Sequence, residues 1–175
     1  VSWAASDVYK RQVNYSVALD MISADGAVIS IENSSGDTVS TTNGLGTGLG
    51  LTIGAKLAAP EKVCVNFMGD AAFGMVGLDF ETAVRSKVPI ITVVLNNSTM
   101  AVETRQRADS HRRYGTRDLG GNYADLGKAM GGYAERIEDP GQISAAFTRA
   151  RKVTQDEGKA VLLEFITSEE TEVSH

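Results

Sequence analysis

The stretch that most constrains this 175-residue chain is residues 68–100, MGDAAFGMVGLDFETAVRSKVPIITVVLNNSTM. An apolar run leads into Gly69-Asp70, a segment of helical period follows, and a second apolar run ends in Asn96-Asn97. Neither run alternates polar with apolar residues, which is the pattern of strands covered on both faces in a parallel sheet. Parallel strands place their carboxyl ends along one edge, and a right-handed crossover makes the two strands neighbours. The Asp70 carboxylate and the Asn97 amide can then converge on one ion although about two dozen residues separate them.

The remaining segments are read from period and punctuation. Residues 13–24 carry Val17, Ala18, Met21 and Ile22 at helical spacing and predict a short amphipathic helix. Residues 27–32 are β-branched and predict a first strand, and the polar cluster of residues 33–43 predicts a loop. The glycine-rich run that follows lacks both the dinucleotide fingerprint and the phosphate-loop spacing. Gly46, Gly50 and Gly54 would fall on one smooth face of a helix. Residues 62–68 read as a buried strand. A helix starting near Gly74 should turn Val76, Phe80, Ala83 and Val84 inward and leave Glu81 and Arg85 as an exposed i, i+4 pair. Further on, residues 122–130 read as a helix stopped by Gly131-Gly132, and residues 133–137 as a short strand. Asp139-Pro140 caps a helix carrying Ile143, Ala146, Phe147 and Ala150, and residues 160–166 form a last buried strand. Strands and helices alternate, so the expected fold is α/β: a three-layer α/β/α sandwich with a mainly parallel sheet of five or six strands.

Composition excludes some roles. A formal net charge of −5 and a pI near 5.1 argue against a nucleic-acid partner. The single Cys64 has no cysteine partner within the chain, which favours the cytoplasm, and the apolar glycine run is too short for a bilayer and contains Lys56. Residues 1–12 have no apolar period and resemble the translation of a sequencing-library adaptor, so the domain is expected over 13–167, with 168–175 a frayed acidic tail. The arginine-dense residues 103–117 read first as a solvated loop and second as a flap recognising a substrate carboxylate. His111 alone supports no catalytic assignment.

Gly69-Asp70-Ala71 followed by Asn96-Asn97 resembles the metal and diphosphate motif of thiamine diphosphate (ThDP) dependent enzymes, over residues 20–167. The branch it is most similar to holds acetolactate synthase and oxalyl-CoA decarboxylase. The resemblance implies Mg²⁺ held by Asp70, the Asn97 side chain and the Thr99 carbonyl, with diphosphate oxygens and water completing six ligands. It places Gly69, Ala71 and Ala72 against the diphosphate, and Ser98 and Met100 against the cofactor. It also puts the Asn43 carbonyl and Gly44 near the aminopyrimidine and makes Leu45 the apolar prop of the bent cofactor. The implied activity makes or breaks a C–C bond next to a carbonyl, first acetolactate synthase-like carboligation of 2-oxo acids, second oxalyl-CoA decarboxylase-like or other 2-oxo acid decarboxylation. The activating glutamate of such enzymes lies on a pyrimidine-binding domain of the same or a partner subunit. No catalytic residue is therefore assigned here, and neither Glu81 nor Glu103 takes that role. These 175 residues alone should be inactive, and the parent a homodimer or homotetramer; some relatives carry FAD, which this domain alone would not bind. A noncatalytic subunit of the same fold is the rival reading, which the intact Asp70 and Asn97 disfavour.

Overall fold

The computed structural model describes residues 16–23, 26–32, 38–43, 46–100 and 108–168. Four strands, β4 (Val65–Gly69), β5 (Ile91–Asn96), β6 (Tyr133–Ile137) and β7 (Val161–Ile166), form a parallel sheet in the order β4-β5-β7-β6. Their apolar residues sort onto two faces by the two-residue period of a strand. Cys64, Met68, Ile90, Val94, Ala134 and Leu162 pack into one cluster. Val65, Phe67, Ile91, Val93, Ile137, Val161, Leu163 and Phe165 pack into the other. Both faces are covered, which explains why the strands read as continuous apolar runs.

The first face is covered by α1 (Gly48–Ala58), α2 (Asp70–Val76), α3 (Asp79–Arg85) and α5 (Tyr123–Ala129), through Leu49, Phe73, Phe80, Ala83 and Ala124. The second is covered by α6 (Ile143–Asp156), which presents Ile143, Ala146, Ala150 and Val153. The three-layer α/β/α arrangement is thus the one expected. Phe147 stacks edge-on to Phe165, with ring centroids 5.7 Å apart. The caps follow the sequence: Asn122 accepts the Asp125 N–H at the start of α5, and Asp139 accepts the Gly141 N–H ahead of α6. In the arginine-dense segment, expected as a solvated loop, residues 108–114 instead form a helix, α4 (Ala108–Tyr114), none of whose residues is buried.

Several expectations are corrected. Residues 13–24 were expected to be helical; the chain instead forms β1 (Ser16–Ser23), antiparallel to β2 (Gly26–Glu32). Val17, Leu19 and Met21 also recur at every second position, so this short segment carried both periods and pairing decided between them. Within the expected loop of residues 33–43 lies β3 (Thr38–Asn43), paired antiparallel with β2. Its Thr-Val-Ser-Thr-Thr sequence suits an extended backbone despite its polarity. Because β2 joins this separate three-stranded sheet, the parallel sheet has four strands among the described residues rather than five or six.

The single helix expected between β4 and β5 starts at Asp70, not near Gly74, and breaks at Gly77 into α2 and α3. A Cβ at Gly77 would stand 2.7 Å from the Phe73 carbonyl oxygen, so only glycine fits the break. Gly46 lies ahead of α1 with φ +81°, off the helix face it was expected to share with Gly50 and Gly54. Among the described residues, a Cβ added at Gly50 or Gly54 meets nothing within 4 Å.

Candidate functional site

The parallel register pairs Gly69 with Leu95, so the residues that follow, Asp70 and Asn96, emerge side by side at the carboxyl edge of the sheet. Asp70 opens α2 and is only 3% exposed. Its Oδ1 accepts the Ala71 N–H at 2.8 Å, and its Oδ2 accepts the Ser98 N–H at 2.8 Å. The first residue of one helix is thereby bonded to the turn leaving the neighbouring strand. That turn is shaped by its asparagines. Asn96 Oδ1 accepts from the Ser98 N–H at 3.0 Å and the Ser98 hydroxyl at 3.1 Å, and Asn97 Oδ1 accepts the Thr99 N–H at 3.1 Å. Ser98 takes the left-handed conformation, φ +58°. A second strap holds the turn from the other side, where the Leu119 N–H donates to the Ser98 carbonyl and the Met100 N–H to the Arg117 carbonyl.

The structure thus brings together Gly69, Asp70, Ala71, Ala72, Asn97, Ser98, Thr99 and Met100. Ala71 N–H is engaged by Asp70 itself, and the Ala72 side chain lies in the core. Asn43 closes β3 opposite Ala27, while Gly44 and Leu45 lie outside the described residues.

Two observations bear on a cation. The Asp70 carboxylate is buried, yet among the described residues it has no cationic partner, only N–H donors. Burial pushes its carboxyl above the ordinary range, while the N–H groups of Ala71 and Ser98 pull it back down. A buried, uncompensated carboxylate is costly, and a cation removes that cost. Among the described residues the Thr99 carbonyl is taken by none, and the buried Thr99 hydroxyl has no hydrogen-bond partner. Among the described residues no group of three or more His, Cys, Asp or Glu side chains forms, so a metal here would rest on one carboxylate plus amide and carbonyl oxygens. Such a hard-oxygen, low-charge set fits Mg²⁺ with phosphate as co-ligand.

Three neighbours, Glu164, Arg136 and Tyr123, have no role in the sequence reading. Glu164, fully buried in β7, accepts from Asn96 Nδ2 at 2.7 Å, Ala124 N–H at 2.9 Å and Arg136 Nη1 at 2.9 Å. Tyr123 packs edge-on to Phe73, and burial raises its hydroxyl pKa, with the Asp70 and Glu164 carboxylates adding to the rise. The one available signal was a lone glutamate inside VLLEFI, since an acidic residue in a strand covered on both faces requires partners.

The family profile described as "Thiamine pyrophosphate enzyme, C-terminal TPP binding domain" matches residues 29–165. A sulfoacetaldehyde acetyltransferase of Alcaligenes xylosoxydans xylosoxydans is 31% identical over 127 residues, which cover 71% of this chain and 21% of that protein. A mitochondrial acetolactate synthase catalytic subunit of Aspergillus candidus is 33% identical over 141 residues, covering 78% of this chain and 20% of the relative. The chain therefore spans about a fifth of the length of these relatives. Among solved structures, the Rhodococcus jostii RHA1 thiamine diphosphate-dependent 4-hydroxybenzoylformate decarboxylase superposes with a TM-score of 0.62 at 22% identity, covering 73% of this chain and 24% of that one, which shows a shared fold. With the match running from β2 to β7, the chain belongs to the thiamine pyrophosphate enzyme family, as a C-terminal TPP-binding domain.

Proposed function

We propose that Asp70, the Asn97 side chain and the Thr99 carbonyl hold a Mg²⁺ ion that anchors the diphosphate of ThDP. We further propose that the longer protein makes or breaks C–C bonds next to a carbonyl, acting as an acetolactate synthase-like enzyme on 2-oxo acids. The observation that carries this reading is the buried Asp70 carboxylate, tied to the 96–99 turn and without a cationic partner among the described residues. A second reading, transfer of an acetyl group to a different acceptor, draws on the sulfoacetaldehyde acetyltransferase relative.

ThDP, when bound, supplies a thiazolium that accepts the electrons of the C–C bond being broken. The chain's own residues bind and orient. Asp70 brings one negative charge to the sheet edge, where water is largely excluded and its attraction for a cation is strengthened. The Ser98–Leu119 and Met100–Arg117 backbone bonds fix the turn so that its oxygens need not reorganise on binding. Among the described residues nothing lies within 4 Å of where a Gly69 side chain would start, which lets a ligand come close to the backbone. The activating glutamate is assigned to a pyrimidine-binding domain outside these 175 residues, so this chain alone should bind cofactor without turnover.

Calorimetry on the 175-residue chain tests the site. ThDP should bind with Mg²⁺ present and not in EDTA, and Asp70→Ala should weaken binding by about 100-fold or more, the upper end of what losing a metal-site partner costs. Binding that ignores the metal, or that survives Asp70→Ala intact, contradicts the assignment.

A further inference from the structure

Strand period places Arg136, Glu164 and Asn96 on the same face of three adjacent strands. Ala134 and Leu162 precede the first two by two residues in one cluster, and Val94 precedes Asn96 there. Their side chains form a chain running from the surface inward. Arg136, whose side chain is 35% exposed, donates to Glu164 Oε1 at 2.9 Å and to Glu138 at 3.0 Å. Asn96 Nδ2 donates to the same Glu164 oxygen at 2.7 Å, and the Ala124 N–H to the other. On its far side, Asn96 Oδ1 receives both the N–H and the hydroxyl of Ser98, whose N–H is shared with Asp70 Oδ2.

A carboxylate accepts and cannot donate, whereas a primary amide has one end of each kind. Glu164 therefore dictates which end of the Asn96 amide points inward. With Nδ2 turned to Glu164, the oxygen is left for Ser98. Reversed, the amide would set its N–H₂ against the Ser98 backbone N–H, a donor that cannot accept, and release the turn. Ser98 occupies a left-handed conformation that a residue with a side chain adopts only when its surroundings impose it. Asn96 and Asp70 together impose it, and the next residues outward are Asn97 and Thr99.

We propose that Glu164 is a positioning residue for the metal-binding turn: through the Asn96 amide it fixes the left-handed conformation at Ser98, and with it the directions of the Asn97 side chain and the Thr99 carbonyl. This rests on the proposed function for what the turn binds, and on hydrogen bonds alone for how the turn is held. The Glu164→Gln substitution leaves one acceptor oxygen where the site presents three donors. Either way a donor meets a donor. With that oxygen on Ala124, the new N–H₂ faces Asn96 and Arg136 and drives the Asn96 amide to reverse. With the oxygen on Asn96 and Arg136, the N–H₂ faces the Ala124 N–H and pushes the side chain off its place. Adding Asn96→Asp selects the first orientation and restores the link to the turn, because the introduced amide donates to one carboxylate oxygen and Ser98 to the other, while Arg136 keeps its bond to Glu138.

Two readouts on the 175-residue chain decide this. Free Mn²⁺ followed by electron paramagnetic resonance in the presence of ThDP reports metal affinity, and amide exchange at Ser98 and Thr99 without metal reports the turn. Glu164→Gln should weaken Mn²⁺ binding by about 10–100-fold, the usual effect of losing a partner of a metal ligand. The same substitution should speed Ser98 exchange by about tenfold while the amides of Phe67 and Val93 keep their protection. Asn96→Asp/Glu164→Gln should recover most of both losses. Asn96→Ala, which leaves Glu164 its Arg136 and Ala124 donors, should reproduce the loss even where Glu164→Gln fails to fold. Unchanged Mn²⁺ binding and Ser98 exchange in Asn96→Ala overturn the proposal, as does a double variant no better than Glu164→Gln, which would give Glu164 a purely stabilising role. A wild-type chain that binds no Mn²⁺ with ThDP overturns the proposed function instead, and Ser98 exchange then decides the role of Glu164 by itself.

Discussion

Two carboxylates in this domain are perturbed in opposite directions, and the difference separates binding from holding. Glu135 is gripped by Arg149 through bonds of 2.8 and 2.6 Å and by the Tyr133 hydroxyl at 2.6 Å, and Arg149 is the main reason its pKa is lowered. A lowered folded-state pKa gives stability that is present above the ordinary value of 4.5 and is lost as pH falls through the folded value. Asp70 runs the other way. Burial raises it above 3.8, so in the metal-free chain its ionisation costs stability, a cost absent in acid and complete once pH has risen past the raised value. Glu135→Gln should therefore lower stability by about 1 kcal/mol at neutral pH, given that Arg149 is partly exposed, with the gap from wild type closing below pH 4.5. Urea titrations of both proteins from pH 7 to pH 3 check the sign; a gap that widens in acid would refute it.

Among the elements, α5 illustrates how backbone approach places a site. Its Gly127 lies so close to the sheet that an added Cβ would stand 3.1 Å from both the Ala134 and Leu162 Cβ atoms. Only at that distance does the start of the same helix deliver the Ala124 N–H to Glu164 and the Tyr123 ring to Phe73. Gly127→Ala should cost about 1–3 kcal/mol through overpacking, offset in part by alanine's better helix propensity. The denaturation midpoint should fall with an unchanged m value, and a stability at or above wild type would mean that the helix has room to lift. Much at this scale was legible beforehand: residues 133–137 form the expected strand, a helix starts after Asn122 as expected, and Asp139 caps where its side chain predicts. The failures, β1 and β3, are segments whose local pattern admitted two answers. Antiparallel pairing with β2, a contact no local window contains, selected the extended one.

For the whole molecule, the sheet presents a covered core on both faces and an edge that gathers the polar groups. The exposed apolar residues Leu51 and Leu57 of α1, with Met75 and Leu78 around the α2–α3 break, lie on the helical layer rather than in the core. A ligand held at the edge stabilises the domain by mass action, about 2.7 kcal/mol at a hundredfold excess over its dissociation constant. Thermal melts should accordingly rise by several degrees when Mg²⁺ and ThDP are added together, and not with Mg²⁺ alone. Asp70→Ala should melt at the same temperature with and without them. Equal shifts in the two proteins would place the ligand elsewhere.

The sequence by itself determined the parallel strands, the helices between them and the meeting of Asp70 with the 96–99 turn, because two-sided burial and strand polarity are written in local pattern. It also carried the family, through a short motif at fixed spacing. What only the tertiary structure decided was which side chains complete the edge. Glu164, Arg136 and Asn96 belong to three strands distant in the chain, and although the apolar context of Glu164 says that it needs partners, nothing local says which. Hydrogen-bond partners across a sheet are fixed by register and strand order, and those are properties of the assembled fold.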